Sequence, residues 1–99
     1  MATKKSKYPK VQSPIRVDNK VFIRTVTHHH TGEIVLVLPT EIVLKDAAWI
    51  ADDGRFSEAL KTGVFNEVEP FPDGVFVSVS RGALIDAADW KHALPRTQK

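Results

Sequence analysis

Residues 33–45 read EIVLVLPTEIVLK, two runs of branched apolar residues with the segment LPTE, residues 38–41, between them. Runs rich in valine, isoleucine and leucine fit a pleated strand, and proline presets the backbone for a tight turn. Two such runs joined by so few residues must return alongside one another, so the segment predicts an antiparallel hairpin. The rest of the chain has to be compatible with that hairpin at its centre.

Upstream, VFIRTVT at residues 21–27 combines β-branched and aromatic residues and predicts a first strand. Gly32 permits a bend or bulge before the second strand, residues 33–38. The third strand, residues 42–45, runs on into DAAWI at 46–50. DDGRFSEALKTG, residues 52–63, predicts one short helix over about residues 53–62. Asp52 or Asp53 would cap it, Phe56, Ala59 and Leu60 would share one face, and Gly63 would supply the left-handed stop. At about two turns it cannot stand alone in water and must dock on the sheet. NEVEPFPDG, residues 66–74, reads as an acidic, proline-rich connection. VFVSVS, residues 75–80, alternates Val75, Val77 and Val79 against Phe76, Ser78 and Ser80, the pattern of a strand. Arg81-Gly82 then turns the chain into a last strand, or a 3₁₀ turn plus strand, over 84–90. The expected architecture is mainly β, a small, strongly bent five-stranded antiparallel barrel over residues 21–90 with a helical insertion at 52–63.

Ninety-nine residues suffice for one domain with a modest core. The absence of cysteine excludes disulfides, thiolate nucleophiles and cysteine-ligated metal. The longest unbroken apolar run, residues 34–39, is far short of a membrane span, and the basic start MATKKSKYPK lacks the apolar stretch of a secretion signal. The expectation is work in the cytoplasm, or in an assembly built there, without a membrane.

The net charge of +2 is unevenly distributed. Residues 1–20 hold six lysines and arginines against Asp18 alone, residues 21–90 hold five against eleven acids, and residues 91–99 add three cations. An acidic body thus carries an extended basic arm, residues 1–20, and a basic tail, residues 91–99. A positive face able to track phosphates is not indicated on the body. The arm is the predicted partner-binding element: Lys4, Lys5, Lys7, Lys10 and Arg16 would pair with an acidic surface while Tyr8, Val11 and Ile15 fill shallow pockets.

The triplet His28, His29, His30 invites a metal reading. On an extended segment, however, side chains alternate, so His28 and His30 share a face and His29 points the other way. Zinc requires three or four converging ligands, and the only other histidine is His92 in the tail. The histidines are therefore read as a turn or contact surface, and no metal or other cofactor is expected. Trp49 and Trp90, with their large apolar area, read first as core and second as interface, and Trp90 and His92 are the further interface candidates. Asp52 and Asp53 are accounted for as caps, and Ser78 and Ser80 lie in a strand pattern with no nucleophile elbow around them. No phosphate-cradling glycine loop is present. No catalytic residues are assigned and no enzyme is expected.

Two resemblances extend this reading. Gly32 before an apolar strand, EIVLKDA at 41–47 and SRGALID at 80–86 resemble the order of features in Sm-like barrels, which are themselves SH3-like. DAAW stands where those proteins carry their uridine-binding loop, so the resemblance implies the ring-forming barrel without its RNA site. More closely, RTVTHHHTGEIV, LKDAAWIADDGRF, FNEVEPFP and RGALIDAADWKHALPR, spanning about residues 20–98, resemble a family of small proteins encoded by tailed bacteriophages and prophages. That resemblance implies a virion component made in the host cytoplasm. It would bind viral structural proteins in a homo-oligomer or multi-copy assembly, as an accessory capsid, cement or tail protein. An Sm-like oligomer binding nucleic acid is the alternative.

Overall fold

A computed structural model describes residues 7–99. Lys4 and Lys5 of the predicted arm therefore lie outside the described residues. The chain forms a mainly β structure, with strands β1 (Lys20–Thr25), β2 (His29–Val37), β3 (Glu41–Asp52), β4 (Glu67–Pro70), β5 (Val77–Ser80) and β6 (Leu84–Asp89). One short helix, α1 (Phe56–Thr62), and a 3₁₀ turn at Arg81–Ala83 complete it among the described residues. The strands make one open antiparallel sheet in the order β4-β3-β2-β1-β6, with β5 also paired to β3.

The predicted hairpin is β2–β3, with Val37 opposite Ile42 at its turn. β3 is long enough to serve two partners on one edge, since residues 41–44 pair with β5 and residues 48–52 with β4. A bend between those halves makes this possible. Asp46 takes a positive φ of 49°, and the β2–β3 register shifts between Thr31 and Glu33. Gly32 lies under the bend. A Cβ there would sit 3.0 Å from the Leu44 Cβ and 3.4 Å from that of Ala47, so the two strands approach too closely for a side chain.

Alternation along the sheet creates two cores. One face gathers Val21, Ile23, Ile34, Ile42, Leu44, Ala47 and Val79. The other gathers Phe22, Ala48, Ile50, Phe65, Val68 and Trp90, and α1 docks there through Phe56, Ala59 and Leu60, the residues whose spacing predicts that face. Gly63 ends the helix in the left-handed conformation (φ 76°), its N–H donating to the Ala59 carbonyl at 2.8 Å.

Four expectations are corrected. Asp52 and Asp53 do not cap α1: Asp52 ends β3 and accepts the Gly54 N–H at 2.8 Å, and the helix begins beyond them with Arg55 at its N-cap and no side-chain cap. Six strands replace the expected five, because Glu67–Pro70 pairs with β3 inside the supposed connection. One buried valine, Val68, between two glutamates is too short an alternation to read, and Pro70 fits because β4 is an edge strand. The tail is bound to the body. Lys99 and Val68 exchange backbone hydrogen bonds at 2.9 and 3.0 Å, and Arg96 donates to the carbonyls of Ala47 and Phe71 at 3.1 and 2.9 Å. Finally, Ile15, Asp18 and Asn19 of the predicted arm belong to the body. The Asp18 N–H donates to the Ile34 carbonyl and the Ile34 N–H to the Asn19 carbonyl, while Ile15 packs against the first core.

Candidate functional site

His29 opens β2, so the histidines occupy the start of a strand beside a turn. Thr25 stabilises that turn, its Oγ1 donating to the His28 carbonyl at 2.7 Å. As alternation requires, His28 and His30 share a face, with ring centroids 6.3 Å apart. Trp49, opposite His30 in the β2–β3 register, brings its ring to 5.8 Å from that of His28, and Phe71 stacks on His30 at 6.2 Å. His29 projects to the other face, edge-on to Phe22, with Nδ1 3.1 Å from Asp53 Oδ2. His28, His29, Trp49 and Asp53 help to line a shallow cleft of about 210 Å³. The three imidazoles do not converge on a point, and among the described residues no three His, Cys, Asp or Glu side chains are placed to hold a metal.

His30 is the chemically distinctive member. Its Nδ1 is buried without a hydrogen-bond partner. Desolvation first, then the neighbouring His28 and His29, pull its pKa below the ordinary 6.5. The sign of the resulting pH dependence follows. A base whose folded pKa is depressed binds its proton more readily in the unfolded chain. Its contribution is complete above about pH 6.5 and is lost as pH falls from there toward the folded pKa. The expected slope for this one group is at most about 1.4 kcal/mol per pH unit. Urea denaturation from pH 7.5 to 5 should show it in the native chain and a weaker dependence in His30→Gln. Equal slopes in both chains would assign the effect to other groups.

No protein family, curated protein or solved structure matches the chain.

The predicted contact residues divide sharply. Lys7, Tyr8, Lys10 and Val11 are exposed, with Tyr8 and Val11 at 68% and 72%. Ile15 and Arg16, expected to reach a partner, are instead engaged at home. Ile15 packs, partly buried, against the first core, and Arg16 Nη1 donates to the Ser13 carbonyl at 2.8 Å and lies 3.7 Å from Asp89 Oδ1. Trp90 takes the core place that its large apolar area suggests, and not the interface. It is 2% exposed, stacks on Phe65 at 5.1 Å, and donates its indole N–H to the Ala93 carbonyl. His92 is a clasp, donating from Nε2 to the Leu60 carbonyl at 2.8 Å while its ring meets Trp90 edge-on. That donation requires the Nε2–H tautomer or the imidazolium.

The sequence reading missed other surface features. Trp49 is the exposed tryptophan, at 39%. Leu36, Val43 and Ser78 lie opposite one another across β2, β3 and β5, forming an outward row, and Phe76 projects just before β5 at 64% exposure. The alternation of VFVSVS carries the one available signal, since Phe76 falls on its outward side. On β6, Asp86 pairs through two hydrogen bonds with Arg24, opposite it on β1. That contact holds the Asp86 carboxyl below its usual range, and Arg24 also lies 4.2 Å over the Phe56 ring. Among the described residues no helix is long and apolar enough to cross a membrane.

Proposed function

We propose that this chain is a non-enzymatic assembly protein of a bacteriophage particle, an accessory capsid, cement or tail component that binds neighbouring viral structural proteins. The observation that carries this reading is the outward row of Leu36 and Val43 with Phe76 beside it, bordered by strand β5, which among the described residues pairs on only one side. Large apolar side chains beside an open strand edge favour burial against another protein surface. The exposed residues Lys7, Tyr8, Lys10 and Val11 extend that contact as a short arm whose lysines pair with an acidic neighbour, an attraction weakened by salt. In this reading the sheet is a small SH3-like or Sm-like barrel, and the 3₁₀ turn between β5 and β6 forms its seam. The protein is made in the host cytoplasm and carried in the virion. Nucleic-acid binding is the less favoured alternative, because Asp53 shares the cleft of the exposed Trp49 and Glu69 lies opposite Trp49 across β3 and β4.

Mass spectrometry of purified particles tests the assignment. Many copies per particle are expected, and absence from particles removes it. Removing residues 1–12 leaves in place Ile15, Asp18 and Asn19, which dock on the body. The truncated chain is expected to remain folded by circular dichroism yet to dissociate from particles at lower salt than the full chain. Unchanged salt resistance would remove the arm from the interface.

A further inference from the structure

We propose that β5 pairs with β5 of a second copy of the chain, antiparallel across a twofold axis, so that two sheets join into one. The proposal rests on the reading above that open strand edges are contact surfaces, and it names the partner.

The three outer edges of the sheet are not equivalent. The edge of β4 is occupied by the chain's own tail, through the paired backbone hydrogen bonds of Val68 and Lys99. β6 carries Asp86 and Asp89, and carboxylates on an edge strand oppose pairing with another copy. β5 has neither device. Among the described residues its register is satisfied against β3 alone, and residues 75–80, VFVSVS, hold no charge in a chain where 26% of residues are charged. Val75 and Phe76, leading into the strand, are 40% and 64% exposed. An uncharged, alternating strand left open is a template for pairing.

Its own copy is the occupant that fits. A twofold axis perpendicular to a sheet preserves inward and outward faces, so only residues of like orientation oppose one another. With the axis at Ser78, each Ser78 meets its counterpart and Val77 meets Val79 of the second copy. Phe76 meets Ser80, and Val75 meets Arg81. Valine lies against valine, serine against serine, and no like charges are opposed. The alternative β5–β6 pairing would leave Phe76, Val77 and Val79 facing a strand with two carboxylates.

The full chain is tested alone by sedimentation equilibrium, together with Ser78→Lys and Ser78→Glu, whose side chains are exposed and leave both cores intact. A dimer is expected at concentrations up to roughly 100 µM, within reach of a modest specific interface. Either charge, brought opposite itself across the axis, is expected to weaken dimerisation by about tenfold or more. The chain has no cysteine, so single-cysteine variants report proximity directly. Ser78→Cys should cross-link rapidly to a dimer with a short bifunctional thiol reagent, whereas Ile85→Cys on β6 should not. A monomeric native chain, a higher oligomer, or faster cross-linking through Ile85→Cys overturns the proposal. None of these outcomes bears on whether the protein is found in particles, so the two readings fail separately.

Discussion

Replacing Trp90 with alanine is expected to lower the unfolding free energy by about 3–5 kcal/mol, the range for removing a large buried aromatic side chain. A domain of this size holds only about 5–15 kcal/mol in total, so the variant should be partly unfolded in dilute buffer. The expectation rests on position. Trp90 stacks nearly parallel to Phe65, with centroids 5.1 Å apart and planes at 10°, and lies 5.9 Å from Phe22. Phe22 in turn meets Phe56 of the helix at 5.6 Å, so one indole ties the last strand, the core and α1 together. Its N–H donates to the Ala93 carbonyl at 3.1 Å and anchors the start of the tail. Trp90→Phe keeps a ring but leaves that carbonyl without this donor and should cost less, about 1–3 kcal/mol. Trp49→Ala provides the contrast, because Trp49 is 39% exposed and its loss should cost about 1 kcal/mol or less. Urea denaturation followed by circular dichroism ranks the three. If Trp90→Ala were no worse than Trp49→Ala, the second core would not be organised around Trp90.

That contrast shows where the sequence was legible. The central hairpin, the apolar face of α1 and the Gly63 stop all depend on local spacing and stand in the structure, and the VFVSVS alternation stands over Val77–Ser80, with Val75 exposed before the strand. The opposed orientations of His28 and His29 follow from the same local rule. The two tryptophans do not. Both follow a small-residue pair after an aspartate, yet one is core and the other exposed, because only Trp90 meets the helix side of the sheet where Phe65 and α1 provide cover. Long-range pairing was equally invisible. Nothing within residues 91–99 announces that Arg96 reaches the carbonyls of Ala47 and Phe71, 49 and 25 positions away. Charge alone made both ends look like free basic extensions. What decides their fate is hydrogen-bonding backbone presented by distant strands: the β4 edge for the tail, and Ile34 for residues 18 and 19. The candidate contact surface follows from the same pairings, since the exposure of Leu36 and Phe76 depends on which strands lie beside them.

Gly63→Ala is the second large effect expected, at about 2–4 kcal/mol, and it arises from two separable causes. The first is local. Gly63 has a φ of 76°, and holding an alanine in the left-handed region costs about 1–2 kcal/mol. The second comes from the far end of the chain. A Cβ at position 63 would lie 2.6 Å from His92 Cγ and 2.9 Å from His92 Cβ, closer than packed atoms can approach. His92 cannot yield freely, because its Nε2 is bonded to the Leu60 carbonyl, its ring meets Trp90 at 4.9 Å, and its own carbonyl accepts from Lys20 Nζ at 2.6 Å. A double-mutant cycle separates the causes. His92→Gly alone forfeits the Leu60 bond and the Trp90 contact and should be destabilising. In the Gly63→Ala background it also removes the collision, so the double variant should be more stable than the sum of the single losses predicts, by about 0.5–3 kcal/mol. Simple additivity would mean that the helix end and the tail do not meet at this point. The glycine's cost would then be backbone strain alone. A positive deviation would establish that Gly63 is required twice over, as the stop of α1 and as the floor on which the tail's histidine sits.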